Sequence, residues 1–175
     1  MKNYYVIDFF IKVYNECDNY SFKYYILWAL SNLVAGDDYH IMNFLQSELY
    51  LKLRYNLEKE TNGVVLEITL RIFYLIINED RPEISIKILD CYFIECLINI
   101  LNRNLQNNTN IIIYIVEIIN QGLIIEKSKK AFEIKFELFS FIEKIGGIDI
   151  MENLLYIDNE KINESISRLI KNFNI

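Results

Sequence analysis

Trp28 and Asn32 stand four residues apart in a segment whose apolar spacing predicts a helix, which sets them about 40° apart on it. The expected core stripe of that helix is Phe22, Ile26, Ala29 and Leu33, so the pair projects together, off the core. An Asn carboxamide has both a donor and an acceptor and can pair with the N–H and C=O of an extended peptide whatever its sequence. An indole beside it offers a flat wall for a lysine stem and attracts its ammonium, worth ~0.5–2 kcal/mol per contact. Tyr24, Tyr25 and Ser21 fall on or near the same side and extend the surface. The chemistry is capture of a peptide, without covalent change.

Reactive chemistry has no comparable signal. His40 is the only histidine, and its place near the start of a short helix after Asp37-Asp38 reads as a partly exposed residue, not a general base or a ligand. No Gly-x-x-x-x-Gly-Lys, Gly-x-Gly-x-x-Gly or His-Glu-x-x-His string occurs. Glu58 and Glu60, like Glu133 and Glu137, fall on predicted polar faces with lysines close by. Cys17, Cys91 and Cys96 form no Cys-x-x-Cys pair, and Cys91 and Cys96, five apart on a predicted helix, point to divergent faces. They read as reduced, mostly buried thiols of a cytosolic or nuclear protein. The expectation is a binding protein with no enzymatic activity, metal or cofactor.

Composition sets what must position the pair. The chain has 175 residues, 53% of them hydrophobic, enough for one compact domain or one short repeat array. With one Pro and five Gly it lacks the turns of a sandwich or barrel, leaving helices. The net charge of −6 is the wrong sign for a dedicated phosphate-backbone binder and suits a basic partner better. Met1 to Asp8 makes a poor secretory signal, and the sequons at Asn19, Asn107 and Asn163 carry no weight without one. The most apolar stretch, Ile111 to Ile125, is shorter than the ~20 residues of a membrane span and holds Glu117, Asn120 and Gln121, so it reads as a buried helix.

Along the chain, Val6, Phe9, Phe10 and Val13 mark a first helix from Tyr4 to Tyr14. Asn19 or Ser21 can cap the next, which Gly36 stops. A short helix follows Asp37-Asp38, then a longer one through Leu49, Leu53 and Leu57, and after Thr61-Asn62-Gly63 a third from Val64 to Asn78 with Leu66, Leu70, Phe73 and Ile77 on one side. The order then recurs. Asp80 with Pro82 starts a short helix, Cys91 to Arg103 buries Ile94, Leu97, Ile98 and Leu101, and Ile111 to Ile125 is the third. A last round reads Phe132 to Ile145, a Gly146-Gly147 break, Ile148 to Ile157, and a helix with Ile162, Ile166, Leu169, Ile170 and Phe173.

Asp37 aligns on Asp80, 43 positions on, a period within the armadillo and HEAT range. Such units bury their apolar faces only by stacking, which predicts an all-α, right-handed α-solenoid of about four armadillo repeats, approximately 1–36, 37–79, 80–127 and 128–175, with function on the third helices. The segment Trp28 to Asp37 resembles the third helix of an armadillo repeat from the importin-alpha family of nuclear import adaptors, where a Trp-x-x-x-Asn pair precedes a small-Gly-Asp turn. Ile142 to Asp149, Glu152-Asn153-Leu154, Asn159-Glu160 and Leu169 to Phe173 resemble that family's C-terminal repeat. The resemblance implies recognition of basic nuclear-localisation peptides through Trp28 and Asn32, with Asn120 aligning as a later asparagine, in a protein of cytoplasm and nucleus. It also implies a contact of the last two helices with the export receptor, and no role for nucleic acid or membrane.

The departures point to a second reading. Carried forward by 43 residues, Trp28 and Asn32 land on Arg71 and Leu75, neither wall nor amide, and Arg71 would repel a basic peptide. In the third repeat Val116 takes the tryptophan place. The family's importin-beta-binding segment and early repeats have no counterpart, and a first repeat presenting Tyr4, Tyr5, Phe9 and Phe10 is an uncapped end, as in a fragment, a reduced protein or one with a docked partner. The alternative is a peptide-binding-deficient armadillo scaffold, a subunit of a larger assembly.

Overall fold

The computed structural model describes residues 5–78, 80–103, 108–128 and 137–173. Among them there are eleven helices and no strand. In the unit Met1–Ile76 these are α1 (Tyr5–Glu16), α2 (Tyr20–Val34), α3 (Asp38–Leu45), α4 (Glu48–Asn56) and α5 (Gly63–Ile76). In the unit Ile77–Ile175 they are α6 (Pro82–Ser85), α7 (Cys91–Asn102), α8 (Thr109–Lys127), α9 (Leu138–Lys144), α10 (Gly147–Leu154) and α11 (Glu160–Phe173). The triplets α3-α4-α5, α6-α7-α8 and α9-α10-α11 each end in their longest member.

Short polar side chains start most of these helices. Asn19 Oδ1 accepts from the N–H groups of Ser21 (2.9 Å) and Phe22 (3.2 Å), and Asn62 Oδ1 from those of Val64 and Val65 (3.1 Å each). Asp37 accepts from His40 N–H at 3.0 Å, Ser47 from Tyr50 at 3.2 Å and Asp90 from Phe93 at 2.9 Å. Asn108 accepts from Ile111 and Asn159 from Ile162, both at 3.3 Å. The long helices α2, α5, α8 and α11 thus all begin at an asparagine, which satisfies amides that a helix start otherwise leaves unbonded. Asn62→Ala is expected to lower stability by ~1 kcal/mol, read as a lower urea midpoint at unchanged slope; an unmoved midpoint would mean that the cap contributes nothing.

At α6 the expectation fails: Arg81, not Asp80, occupies the cap position, and no side chain caps it. A buried hydroxyl braces the turn instead. Ser85 Oγ accepts from Asn78 N–H and donates to the carbonyls of Asn78 and Arg81, all at 3.0 Å, which holds the single turn behind Pro82.

In the first unit α2 packs most extensively on α5, with α1 and α3 also on α2. The buried side of α2 is Ile26, Leu27, Leu30 and Val34; that of α5 includes Leu66, Leu70, Phe73 and Ile76. Tyr50 of α4 sets its ring edge-on to Phe44 (5.7 Å) and Phe73 (6.3 Å) and accepts at its hydroxyl from Arg54 at 2.7 Å. The expected stripes of α1 and α2 are corrected here. Phe9 and Phe22 are exposed, and Ala29 and Leu33 lie half-buried, while Ile7 and Tyr14 are buried on α1. Helix α2 is apolar nearly all round, so spacing alone admits more than one inward side, and on α1 the polar stripe of Asp8, Lys12 and Asn15 leaves a wide apolar side within which Ile7 and Tyr14 turn inward.

In the second unit α8 packs on α7, α9 and α11. Ile94, Leu97, Ile98 and Leu101 are buried on α7, and Ile162, Ile166 and Leu169 on α11. Gly146 adopts φ 73°, a left-handed conformation that a Cβ disfavours, and so starts α10. At 19 residues α8 is longer than the expected Ile111 to Ile125 and is long and apolar enough to cross a membrane, yet 61% of its apolar window is buried inside the protein. Of the cysteines only Cys96 is buried; Cys17 is half-buried and Cys91 exposed. Glu133 and the first part of the expected helix Phe132 to Ile145, up to residue 136, lie outside the described residues.

Candidate functional site

Ser21, Tyr25, Trp28 and Asn32 run down one side of α2, diametrically opposite Leu30 and its buried neighbours. Trp28 is 46% exposed and Asn32 is exposed, its carboxamide bonded to no described residue. Behind the indole, buried Ser31 donates from Oγ to the Trp28 carbonyl at 2.7 Å, so the small residue turns its one polar group back into the helix. Tyr24 is half-buried and meets Tyr25 edge-on at 5.5 Å. The structure therefore brings Ser21, Tyr24, Trp28 and Asn32 onto one open face. Cations already use rings in this unit: Lys23 Nζ lies 5.4 Å from the Tyr14 ring centre and 5.7 Å from that of Tyr20. Burial, with Glu60 adding to it, raises the Tyr14 phenol above its ordinary pKa, which leaves it a neutral ring platform.

The asparagine caps supply a register that apolar spacing does not. Nine residues after the caps Asn19, Asn62, Asn108 and Asn159 come Trp28, Arg71, Glu117 and Arg168. Thirteen residues after them come Asn32, Leu75, Gln121 and Asn172. On α5, Arg71 and Leu75 are half-buried and lie opposite buried Phe73, with Glu67 and Tyr74 beside them. Arg71 makes no ion pair with a described residue.

Asn120 is not part of an open face. It is 5% exposed, and its Oδ1 accepts from Asn172 Nδ2; Val116 is fully buried. The interval from Asn62 to Asn108 is 46 residues, which sets half-buried Glu117 and Gln121, each one residue beyond Val116 and Asn120, in the register of Arg71 and Leu75. Glu117 is itself engaged: it accepts from Ser165 Oγ and from Arg168, both at 2.6 Å. Thr109 accepts from Asn159 at 3.1 Å, so α8 and α11 are joined by a seam of polar contacts along their length. His40 lies half-buried against the Tyr39 ring, 5.4 Å between centres. Among the described residues no group of His, Cys, Asp and Glu could hold a metal ion.

No family model and no curated protein matches the chain. Solved structures do. A crystal structure of an engineered protein from the Northeast Structural Genomics Consortium is similar at TM-score 0.67 and 14% identity over 96% of this chain, which spans 62% of that structure's length. A second engineered protein from the same consortium aligns at TM-score 0.50 and 12% identity over 97% of this chain and 79% of its own. A designed armadillo repeat protein in complex with the peptide (KR)4 aligns at TM-score 0.47 and 15% identity, covering 94% of this chain and 80% of its own. At such identities the likeness concerns the fold alone, an all-α solenoid, in keeping with the helix triplets.

Proposed function

We propose that the chain is a protein-binding solenoid that holds an extended segment across α2. Trp28 walls a long side chain of that segment, and Asn32 pairs with its backbone. The observation that carries this reading is the pair itself: an indole and an unbonded carboxamide one turn apart on the side of α2 that faces away from its core. Capture needs no acid–base group and no bound cofactor, because the indole and the amide act by contact and hydrogen bonding. In its finer form the reading is an import adaptor similar to importin-alpha, carrying basic nuclear-localisation segments between cytoplasm and nucleus. The Trp-x-x-x-Asn spacing and the Ala35-Gly36-Asp37 exit support it.

Titration of a labelled lysine-rich peptide tests the reading. Trp28→Ala is expected to weaken binding by ~0.5–2 kcal/mol, and Asn32→Ala by ~0.5–1.5 kcal/mol, with affinity falling as salt rises. Absence of binding, or binding indifferent to both substitutions, would leave the second reading, a scaffold that no longer reads peptides. One observation favours that second reading. Glu117, in the tryptophan's register on α8, is consumed by Arg168 and Ser165, so the rung there is closed from within.

A further inference from the structure

The long helices of the second unit show what their register positions can reach. Nine residues after their caps, Glu117 of α8 and Arg168 of α11 meet as an ion pair at 2.6 Å. On the packed long helices of the second unit, side chains at this position are therefore within reach of one another. In the first unit the same two places, on the packed pair α2 and α5, hold Trp28 and Arg71. The arginine of the second unit has its carboxylate. In the first unit the matching register position on α2 holds an indole instead, and no described acid pairs with Arg71, although Glu67 lies one turn away on the same helix.

We propose that the segment held on this face carries an Asp or Glu against Arg71, two to three residues from the side chain that lies on Trp28. The carboxylate takes the place that Glu117 fills for Arg168. The proposal rests on the reading above, that α2 binds an extended segment, and names the class of segment. Its spacing follows from geometry: packed helix axes lie ~8–10 Å apart and an extended chain advances ~3.3 Å per residue, which gives about two to three residues from one side chain to the other. Its chemistry follows from charge. A half-buried guanidinium presents a planar fork of donors that suits a carboxylate and repels a second cation. Leu75, in the asparagine's register on α5, offers no amide to a backbone, so on α5 the charge has to supply the recognition.

The test uses the full chain and short, end-blocked peptides in a neutral background. One kind has lysine and glutamate two or three apart, in either order; in the others lysine or alanine replaces the glutamate. By fluorescence anisotropy at low salt, the lysine–glutamate peptide of the better spacing is expected to bind about five- to tenfold tighter than its all-lysine counterpart. Arg71→Glu should invert that preference. Tighter binding of the all-lysine peptide by the natural chain, or a preference unaltered by Arg71→Glu in a folded variant, overturns the inference. If Trp28→Ala still weakens binding in that case, peptide capture itself stands. If no peptide binds, or Trp28→Ala changes nothing, capture falls and the inference with it.

Discussion

Phe73→Ala is expected to cost about 3–5 kcal/mol of folding stability, among the largest effects of any side-chain truncation in this chain. Phe73 is fully buried on the inward side of α5, its ring 6.3 Å from that of Tyr50. Removing it withdraws a large apolar surface and leaves a void between α5 and its neighbours, which rigid helices close only in part. Arg71 and Leu75 sit on the opposite side of α5, so the defect acts on the face that presents them. Urea unfolding followed by circular dichroism reads the loss as a lower midpoint. A loss below about 1 kcal/mol would mean that the helices collapse onto the void, and that the α2–α5 contact is far more plastic than its packing implies.

Gly147→Val should destabilise the second unit by about 2–3 kcal/mol through overpacking. A Cβ at Gly147 would stand 2.7 Å from Ile142 Cγ2, 3.0 Å from Ile98 Cδ1 and 3.1 Å from the Ile142 carbonyl oxygen. The first of these atoms sits on a stiff, branched side chain and the last is backbone, so neither gives way cheaply. Gly146 is the contrast. No atom lies within 4 Å of a Cβ placed there, and its constraint is the left-handed φ alone. Gly146→Asn should therefore be better tolerated than Gly147→Val, since asparagine enters that region more readily than other residues with a side chain. Thermal denaturation of both variants ranks the two costs, and equal losses would show that close approach is not what makes Gly147 glycine.

Much of the helix order could be read along the chain because the signals that start and stop a helix are local. Asn19, Asp37, Asn62, Gly36 and the Gly146-Gly147 break each act within about four residues of themselves. Asp80 misled because Arg81 takes the cap position with no capping side chain, and Ser85, three residues after Pro82, holds the turn by bonding back to Asn78 and Arg81, a role that its place in the sequence does not signal. The open face of α2 was legible in part. Trp28 and Asn32 were placed together by their types and spacing, whereas Asn120, expected to align with Asn32, is buried and bonded to Asn172. A signal for the right register did exist in the chain: counting from each asparagine cap leads to Glu117 and Gln121 directly.

Residue order alone dictates that this chain is helical, where most of its helices begin, and that an indole and a carboxamide share one side of α2. Those properties depend on hydrogen bonds and angles that repeat within a turn or two. Which side of an almost wholly apolar helix turns inward is another matter. Phe22 outward and Leu30 inward, Asn120 sealed by Asn172, and Arg168 matched to Glu117 while Arg71 pairs with no described acid all follow from which helices pack against each other. Only packing ranks one apolar face above another, because hydrophobic burial has no direction of its own and follows whatever neighbour covers it.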